Sequence, residues 1–388
     1  MLILLVGLHR FTQPGGICRY TANLFFSLKR VDSLRVMLVL GEWQRGYYKQ
    51  ALKLNVDDPD IVWVALKRPA LGRYGWYLRG VPKLARELGA SVVHAAFPMP
   101  LVKRWIPCPI VTTMHDLYAY DAPESIDFPN ILLNKIVLRQ SIRSSDTIIS
   151  ISKCARGSLR KWFPQLEERM PLPVIYQDVG PRASEGENTA STMTGRADKF
   201  LLCVAQHRKH KNLDLVIEAY YKAIGMGVIE ANTHLVIVGS EGPETSYLKS
   251  IVEGRSGVRF LNAIPDEQLV GLYKTCEALI CASSIEGFCL PVAEALSFSR
   301  RVVCSDIPIL REVAGDQGTY FSLEPRSPNA LVKAIEQSLK SSRQTVLGAA
   351  LREPNTGGLT SRVYRYVVKG DSSAELMLEC GSVGQNNV

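Results

Sequence analysis

Glu286 and Glu294 stand eight residues apart in the run SSIEGFCLPVAEAL, Ser283–Leu296. A β-rich run, Ala278–Ala282, precedes them. A helix is expected to open at Pro291, because proline's missing N–H would go unpaired in a first turn anyway. That puts Glu286 on the loop and Glu294 in the first helical turn. The free N–H groups and positive partial charge of a helix N-terminus suit an anionic ligand such as a nucleotide diphosphate. Two carboxylates flanking such a pocket accept hydrogen bonds from the vicinal hydroxyls of a sugar. The spacing is equally met by a Glu294 that only complements the helix dipole and a Glu286 that is a solvated loop charge.

Three further clusters carry chemistry. LLCVAQHRKHKNLDLVIEAY, Leu201–Tyr220, reads as strand, basic loop and amphipathic helix, with Arg208, Lys209 and Lys211 at the strand's carboxyl end. A solvated basic loop is the plainer reading of composition alone. His207 and His210 are read as solvated loop histidines, since a His-x-x-His pair without a carboxylate partner makes a poor metal site. GLHRFTQPGGICRYTANL, Gly7–Leu24, follows the first strand; Gly15–Gly16 allows close backbone approach to phosphate or sugar, or is a flexible turn. It lacks G-x-G-x-x-G, which argues against a dinucleotide dehydrogenase. PIVTTMHDLYAY, Pro109–Tyr120, ends a strand at His115–Asp116, where a buried structural histidine is the competing reading. His94, at the end of the preceding β-run, is a weaker candidate, and Ser152 reads as a helix cap.

These residues need strand ends to hold them. Leu2–Gly7, Arg35–Leu40, Ile61–Val64, Ser91–His94, Pro109–Thr113 and Thr147–Ile151 are short buried β-runs separated by helical stretches, the pattern of a parallel sheet covered on both faces. Gly180–Lys199 has almost no large apolar residue. The alternation restarts at Phe200–Val204 and repeats at His234–Val238, Val258–Leu261, Ala278–Ala282 and Arg301–Cys304. The expected organisation is a domain over 1–180, a linker over 181–199, a second domain over 200–345, and a partly helical tail over 346–388 that is frayed from Gly381. Both domains read as Rossmann-like α/β units facing a cleft.

Composition excludes several classes. With 388 residues, 46% hydrophobic and 21% charged, the chain buries substantial cores and is not a disordered chain. No apolar run approaches the roughly 20 residues of a membrane span, and there is no signal-peptide pattern, so a cytoplasmic location is expected. Nine scattered cysteines without C-x-x-C spacing give neither a disulfide scaffold nor a zinc signature. The net charge of +9 is uneven: residues 1–180 carry 24 Lys/Arg against 14 Asp/Glu, a balance of +10, and the remainder carries 22 against 23. A basic first half suits a negatively charged partner. Nucleic acid is disfavoured, because no recognition motif accompanies the charge. Arg73, Arg79 and Lys83 lie among Tyr74, Trp76 and Tyr77, and Lys103–Arg104–Trp105 and Arg160–Phe163 are similar. Such mixtures suit an anionic membrane surface, or are side chains snorkelling on solvated helices.

The Ser283–Leu296 run resembles the E-x7-E signature of the GT-B retaining glycosyltransferases of family 4. Its flanks, IPDEQLVGLYKTCEALICASSIEGF and RRVVCSDIPILREVAGDQGTYF, are similar to the family's strand–helix lead-in and continuation. Lys211–Asn212 resemble its K-N or K-G pair, Gly16, Arg19 and Tyr20 its G-G-x-x-R-Y loop, and His115–Asp116 its H-D element. The resemblance implies a catalytic set of His115, Glu286 and Lys211. It implies a donor site of Gly15, Gly16, Arg208, Lys211, Glu286, Gly287, Phe288, Cys289, Leu290 and Glu294. In it Lys211 grips the pyrophosphate, Glu286 meets the sugar ring and Glu294 the ribose. The family's usual arginine position is Gln206 here, so Arg208, or failing it Lys209, is the second diphosphate cation. Cys289 stands where glycine is commonest; a side chain there narrows the pocket floor, or the backbone is ordinary and the cysteine neutral.

The implied reaction moves a hexose from a UDP- or GDP-sugar to a glycan or polyprenyl-diphosphate-linked acceptor, with retained configuration and no cofactor or obligatory metal. It would serve cell-surface polysaccharide or glycolipid synthesis, in the cytoplasm or on the inner face of the membrane. Two rivals stand beside it. One is a non-catalytic nucleotide-sugar-binding subunit of a polysaccharide assembly complex, and the other a GT-B sugar-nucleotide epimerase.

Overall fold

Most residues of the strand-forming runs are apolar and buried because helices cover both faces of each sheet. A computed structural model describes residues 1–10, 15–50, 52–123, 130–179, 199–262, 264–341 and 355–369. The expected linker, apart from Lys199, and the segment from Gly381 lie outside these residues. The chain divides into two compact units: Met1–Asp178 with Pro354–Val388, and Val179–Glu353.

The first unit holds a six-stranded parallel sheet. Its strands are β1 (Leu2–Val6), β2 (Arg35–Gly41), β3 (Ile61–Val64), β4 (Val92–Ala95), β5 (Ile110–Met114) and β6 (Thr147–Ser150), in the order β3-β2-β1-β4-β5-β6. In register, Leu5 sits beside Leu38 on one side and His94 on the other. Chain order reverses between β1 and β4. Ligands of open α/β sheets bind in the crevice beyond the strand ends at such a reversal. The helix Gly16–Lys29 begins there, after β1. The helix Lys153–Trp162 is capped by Ser152, whose Oγ accepts from the Ala155 N–H at 3.0 Å, as the sequence predicts.

The helix Thr356–Lys369 belongs to this unit, although it follows the whole second unit in the chain. It packs on the helix Gly16–Lys29 so closely that a β-carbon on Gly357 would stand 2.2 Å from the Ser27 carbonyl oxygen. Its Tyr364 hydroxyl lies 2.5 Å from Nδ1 of His94, and Nε2 of His94 lies 2.8 Å from Thr113 Oγ1. Thr113 Oγ1 is also 2.8 Å from the Tyr20 hydroxyl. His94 is thus a fully buried core residue, and not the pocket group its place at a strand end suggests.

The second unit repeats the plan with β7 (Phe200–Val204), β8 (His234–Val238), β9 (Val258–Leu261), β10 (Ala278–Cys281), β11 (Arg301–Ser305) and β12 (Gly318–Phe321), in the order β12-β11-β10-β7-β8-β9. All its pairings are parallel. Chain order reverses between β7 and β10. The helix Leu213–Gly225 buries Leu213, Val216, Ile217, Tyr220 and Ala223 in the core, at helical spacing.

Candidate functional site

In the second unit the reversal point brings together the two strongest sequence signals. β7 runs into a basic 3-10 turn, Lys209–Lys211, and β10 runs into the Ser283–Cys289 loop. The two loops are stitched by backbone and side chain. The Ser284 N–H donates to the His210 carbonyl at 2.9 Å, and Asn212 Nδ2 donates to the Ala282 carbonyl at 2.8 Å. Asn212 takes a left-handed conformation (φ 48°), which asparagine tolerates better than most residues. The result is an ion pair across 75 positions of sequence. Lys211 Nζ lies 2.6 Å from Glu286 Oε1, with side chains only 16% and 11% exposed. Burial, the largest single influence, pulls the Lys211 ammonium down, but the charge and hydrogen bond of Glu286 together with the neighbouring Cys289 and Cys281 outweigh it and hold Lys211 above its ordinary range. Ser283 Oγ donates to the same Glu286 oxygen at 2.7 Å. Ser283 was not singled out in the sequence; its signal is a hydroxyl three residues before the loop glutamate.

The helix after this loop spans Leu290–Ser297, with Pro291 in its first turn and no side chain capping its start. Pro291 has no N–H and the Val292 N–H donates to the Cys289 carbonyl at 3.2 Å, so the Leu290 N–H and the positive end of the helix are what its first turn offers an anionic oxygen. Two expectations are corrected. The helix opens at Leu290, one residue earlier than expected, so Glu294 is its fifth residue and lies just past the first turn, which it does not complement. Glu294 is buried and accepts a hydrogen bond from the Tyr273 hydroxyl at 2.8 Å. Cys289 does not have an ordinary backbone: at φ 69° and ψ 68° it occupies the left-handed region that favours glycine.

Arg208 is exposed, with its Nε bonded to Gln206 Oε1 at 3.0 Å. Arg208 and Lys209 line a cavity of about 240 Å³ with Asn212, Tyr247 and Arg326, and Lys211 is not part of its wall. His207 is no solvated loop histidine. It is buried, with Nδ1 2.9 Å from Thr245 Oγ1 and its ring edge-on to Phe260. His210 is half-buried, and burial, with the neighbouring Lys211 charge, lowers its pKa to about 4.

In the first unit Gly15 sits at φ 67°, ψ −125°, territory that side-chain-bearing residues avoid, and no side chain caps the Gly16–Lys29 helix it opens. His115 follows β5. Its Nε2 lies 2.8 Å from the Ala96 carbonyl oxygen, and its ring stands edge-on to Tyr20 at 4.7 Å. A carbonyl can only accept, so the ring proton sits on Nε2 and Nδ1 is left as an acceptor. Burial lowers the His115 pKa to about 4, so the ring is neutral at pH 7. It therefore offers a lone pair and no charge. Arg73, read from the sequence as a cation for an anionic surface, is instead buried, stacks on Tyr74 at 4.3 Å and bonds the Ala70 carbonyl.

These histidines make the first unit acid-sensitive. Burial, with the neighbouring His115, lowers the His94 pKa to about 3 from the ordinary 6.5. Below pH 6.5 the unfolded chain takes up protons that buried His94 and half-buried His115 refuse. Stability is full above that pH and falls as the pH drops toward their folded values, by up to about 1.4 kcal/mol per pH unit for each group. Urea unfolding midpoints at about pH 7.5 and about pH 5 should therefore differ. Equal midpoints would show that these rings are not held neutral.

Two family models match the chain: "Glycosyltransferase Family 4" over residues 14–175 and "Glycosyl transferases group 1" over residues 187–351. The chain is 24% identical over 350 residues to the O-antigen chain mannosyltransferase RfbU of Salmonella typhimurium, covering 86% of this chain and 91% of that protein. It is 28% identical over 236 residues to the O-antigen chain mannosyltransferase B of Escherichia coli. That match covers 59% of this chain and 61% of the relative's own length. The crystal structure of HepE from Anabaena in complex with UDP and glucose has the same fold, with a TM-score of 0.67 at 16% identity and 98% of each chain covered.

Proposed function

This chain belongs to glycosyltransferase family 4 and has the GT-B fold, and on that premise we propose that it moves a hexose from a UDP- or GDP-sugar to a glycan or lipid-linked sugar acceptor in polysaccharide synthesis. The O-antigen mannosyltransferases among its relatives make mannose the first sugar to test. The observation that carries the reading is the buried Lys211–Glu286 pair at the β7/β10 reversal, next to an uncapped helix start. Sugar transfer needs charge stabilisation at the departing diphosphate and a polar grip on the sugar, and a lysine beside a carboxylate supplies both.

In the reaction, the bond from the anomeric carbon to the diphosphate oxygen breaks as the acceptor oxygen bonds to the same face. The acceptor proton passes to the leaving phosphate, and configuration is retained. No metal is required in this scheme, because Lys211 and the positive end of the helix Leu290–Ser297 take the developing charge. In the first unit, His115 Nδ1 offers an acceptor for a substrate hydroxyl. The non-catalytic and epimerase readings predict no new glycosidic bond.

Among the described residues no helix is long and apolar enough to cross a membrane. The first unit nevertheless exposes Leu132, Leu133 and Ile136 on one helix and Trp162 nearby in sequence to Lys161. Arg79 and Lys83 are also exposed. Cations and apolar side chains together suit peripheral attachment to an anionic membrane carrying the acceptor.

The test is incubation with UDP- and GDP-sugars and a lipid-linked glycan acceptor, with the product's anomeric signal read by NMR, with and without a chelator. Retained configuration and chelator-resistant turnover are expected. An inverted product, or turnover abolished by the chelator, would refute the scheme, and donor binding with neither transfer nor hydrolysis would favour a binding subunit.

A further inference from the structure

Beside Glu286 lie two thiols that sugar transfer leaves unused. Cys281 ends β10 and Cys289 precedes the helix Leu290–Ser297; both are buried, and their Sγ atoms are 3.5 Å apart. One donor atom from each of Cys281, Cys289 and Glu286 lies within 4.8 Å of the other two. We propose that these three side chains form a binding site for a thiophilic divalent cation of the zinc type, and that the bound cation takes Glu286 away from the sugar donor.

The geometry needs little adjustment. Bonds of about 2.3 Å to sulfur and about 2.1 Å to oxygen in a tetrahedron place the two sulfurs about 3.8 Å apart, a few tenths of an ångström from their present separation. Two thiolates and one carboxylate leave a fourth position for water, and thiolate ligands select soft or borderline ions over magnesium or calcium. Both described hydrogen bonds to Glu286, from Lys211 and Ser283, fall on Oε1.

Charge supports the exchange. The thiols now share a proton contact, in which the bond to Cys289 holds the Cys281 thiol down while Cys289 is pushed up. A divalent cation would expel two thiol protons, so the charge of this buried cluster would not change on loading. Lys211 stays beside the otherwise anionic ligand set. The backbone at Cys289 is one that glycine adopts freely and other residues adopt only at a cost, yet the position carries a thiol.

Only the competition with donor rests on the function proposed above; the site stands on its three side chains. The test is titration of the reduced, metal-free full chain with Co²⁺ in the absence of any sugar nucleotide. One equivalent should bind with sulfur-to-cobalt charge-transfer and tetrahedral visible bands, and Zn²⁺ should bleach them. Cys289→Gly, which suits the local backbone and so keeps the fold, should abolish the bands, as should Cys281→Ala. Absence of thiolate bands, or bands unchanged in Cys289→Gly, overturns the site. Glu286→Gln should weaken cobalt binding, and equal affinity in that variant would remove Glu286 from the ligand set. A chain that transfers sugar yet shows no bands refutes the cation site alone, and a chain that shows bands but never transfers refutes the function alone.

Discussion

Lys211→Ala lowers turnover roughly 30- to 1000-fold, a loss of about 2–4 kcal/mol of transition-state stabilisation. The size follows from where the ammonium sits. Lys211 is mostly buried and held charged by Glu286, so its field at a departing diphosphate is little screened by water. A donor phosphate arriving at the loop would meet a cation whose position is already fixed by the 3-10 turn and by Asn212 bonding to Ala282. Arg208→Ala costs less, because that guanidinium is exposed and engaged with Gln206. Steady-state rates with the UDP- or GDP-sugar that serves as donor check both variants, and the unfolding midpoint of each separates a folding loss from a catalytic one. Turnover of Lys211→Ala equal to the parent would remove Lys211 from the diphosphate grip.

Glu294→Gln weakens binding of the free nucleotide as well as of the nucleotide-sugar, roughly 10- to 100-fold, as expected for a lost charge-assisted hydrogen bond of about 1.5–3 kcal/mol. The substitution keeps an oxygen for the Tyr273 hydroxyl, so the local fold survives. Glu286→Gln does the opposite. It leaves free-nucleotide affinity nearly intact and depresses turnover, since its carboxylate is assigned to the sugar ring. Calorimetry with the nucleotide alone, set beside rates, tests the pair. Nucleotide affinity lost in Glu286→Gln and kept in Glu294→Gln would interchange the two roles.

Much of this was readable in one dimension because it is local. The β-runs are apolar and short, Ser152 precedes its helix, and Pro291 marks a helix start within one residue of the true boundary. The carboxyl ends of β7 and β10 could be recognised separately, but that they are neighbours is a property of strand order. What stayed hidden depends on distant partners. His207 looks solvated in a basic loop until Thr245 and Phe260 are brought against it. Arg73 looks like a surface cation until packing decides which face of its helix, Pro69–Glu87, is buried. The left-handed backbone at Cys289 is a conformation that no side-chain pattern announces, and the nearness of Cys281 depends on the loop folding back on its own strand. Tyr364 lies 270 residues from the histidine it meets, beyond the reach of any periodicity.

The return of the chain to its first unit sets an order of events during synthesis. The second unit is continuous from Val179 to Glu353 and can close as soon as it leaves the ribosome. The first unit cannot, because the helix that touches Ser27 and meets His94 is translated after all of the second. At translation speeds of about 5–20 residues per second, the first sheet waits roughly ten to forty seconds with His94 Nδ1 lacking the Tyr364 hydroxyl and one flank of its first helix bare. For that interval the half of the protein made first is the half still incomplete, and it is there that a chaperone has the longest opportunity to engage.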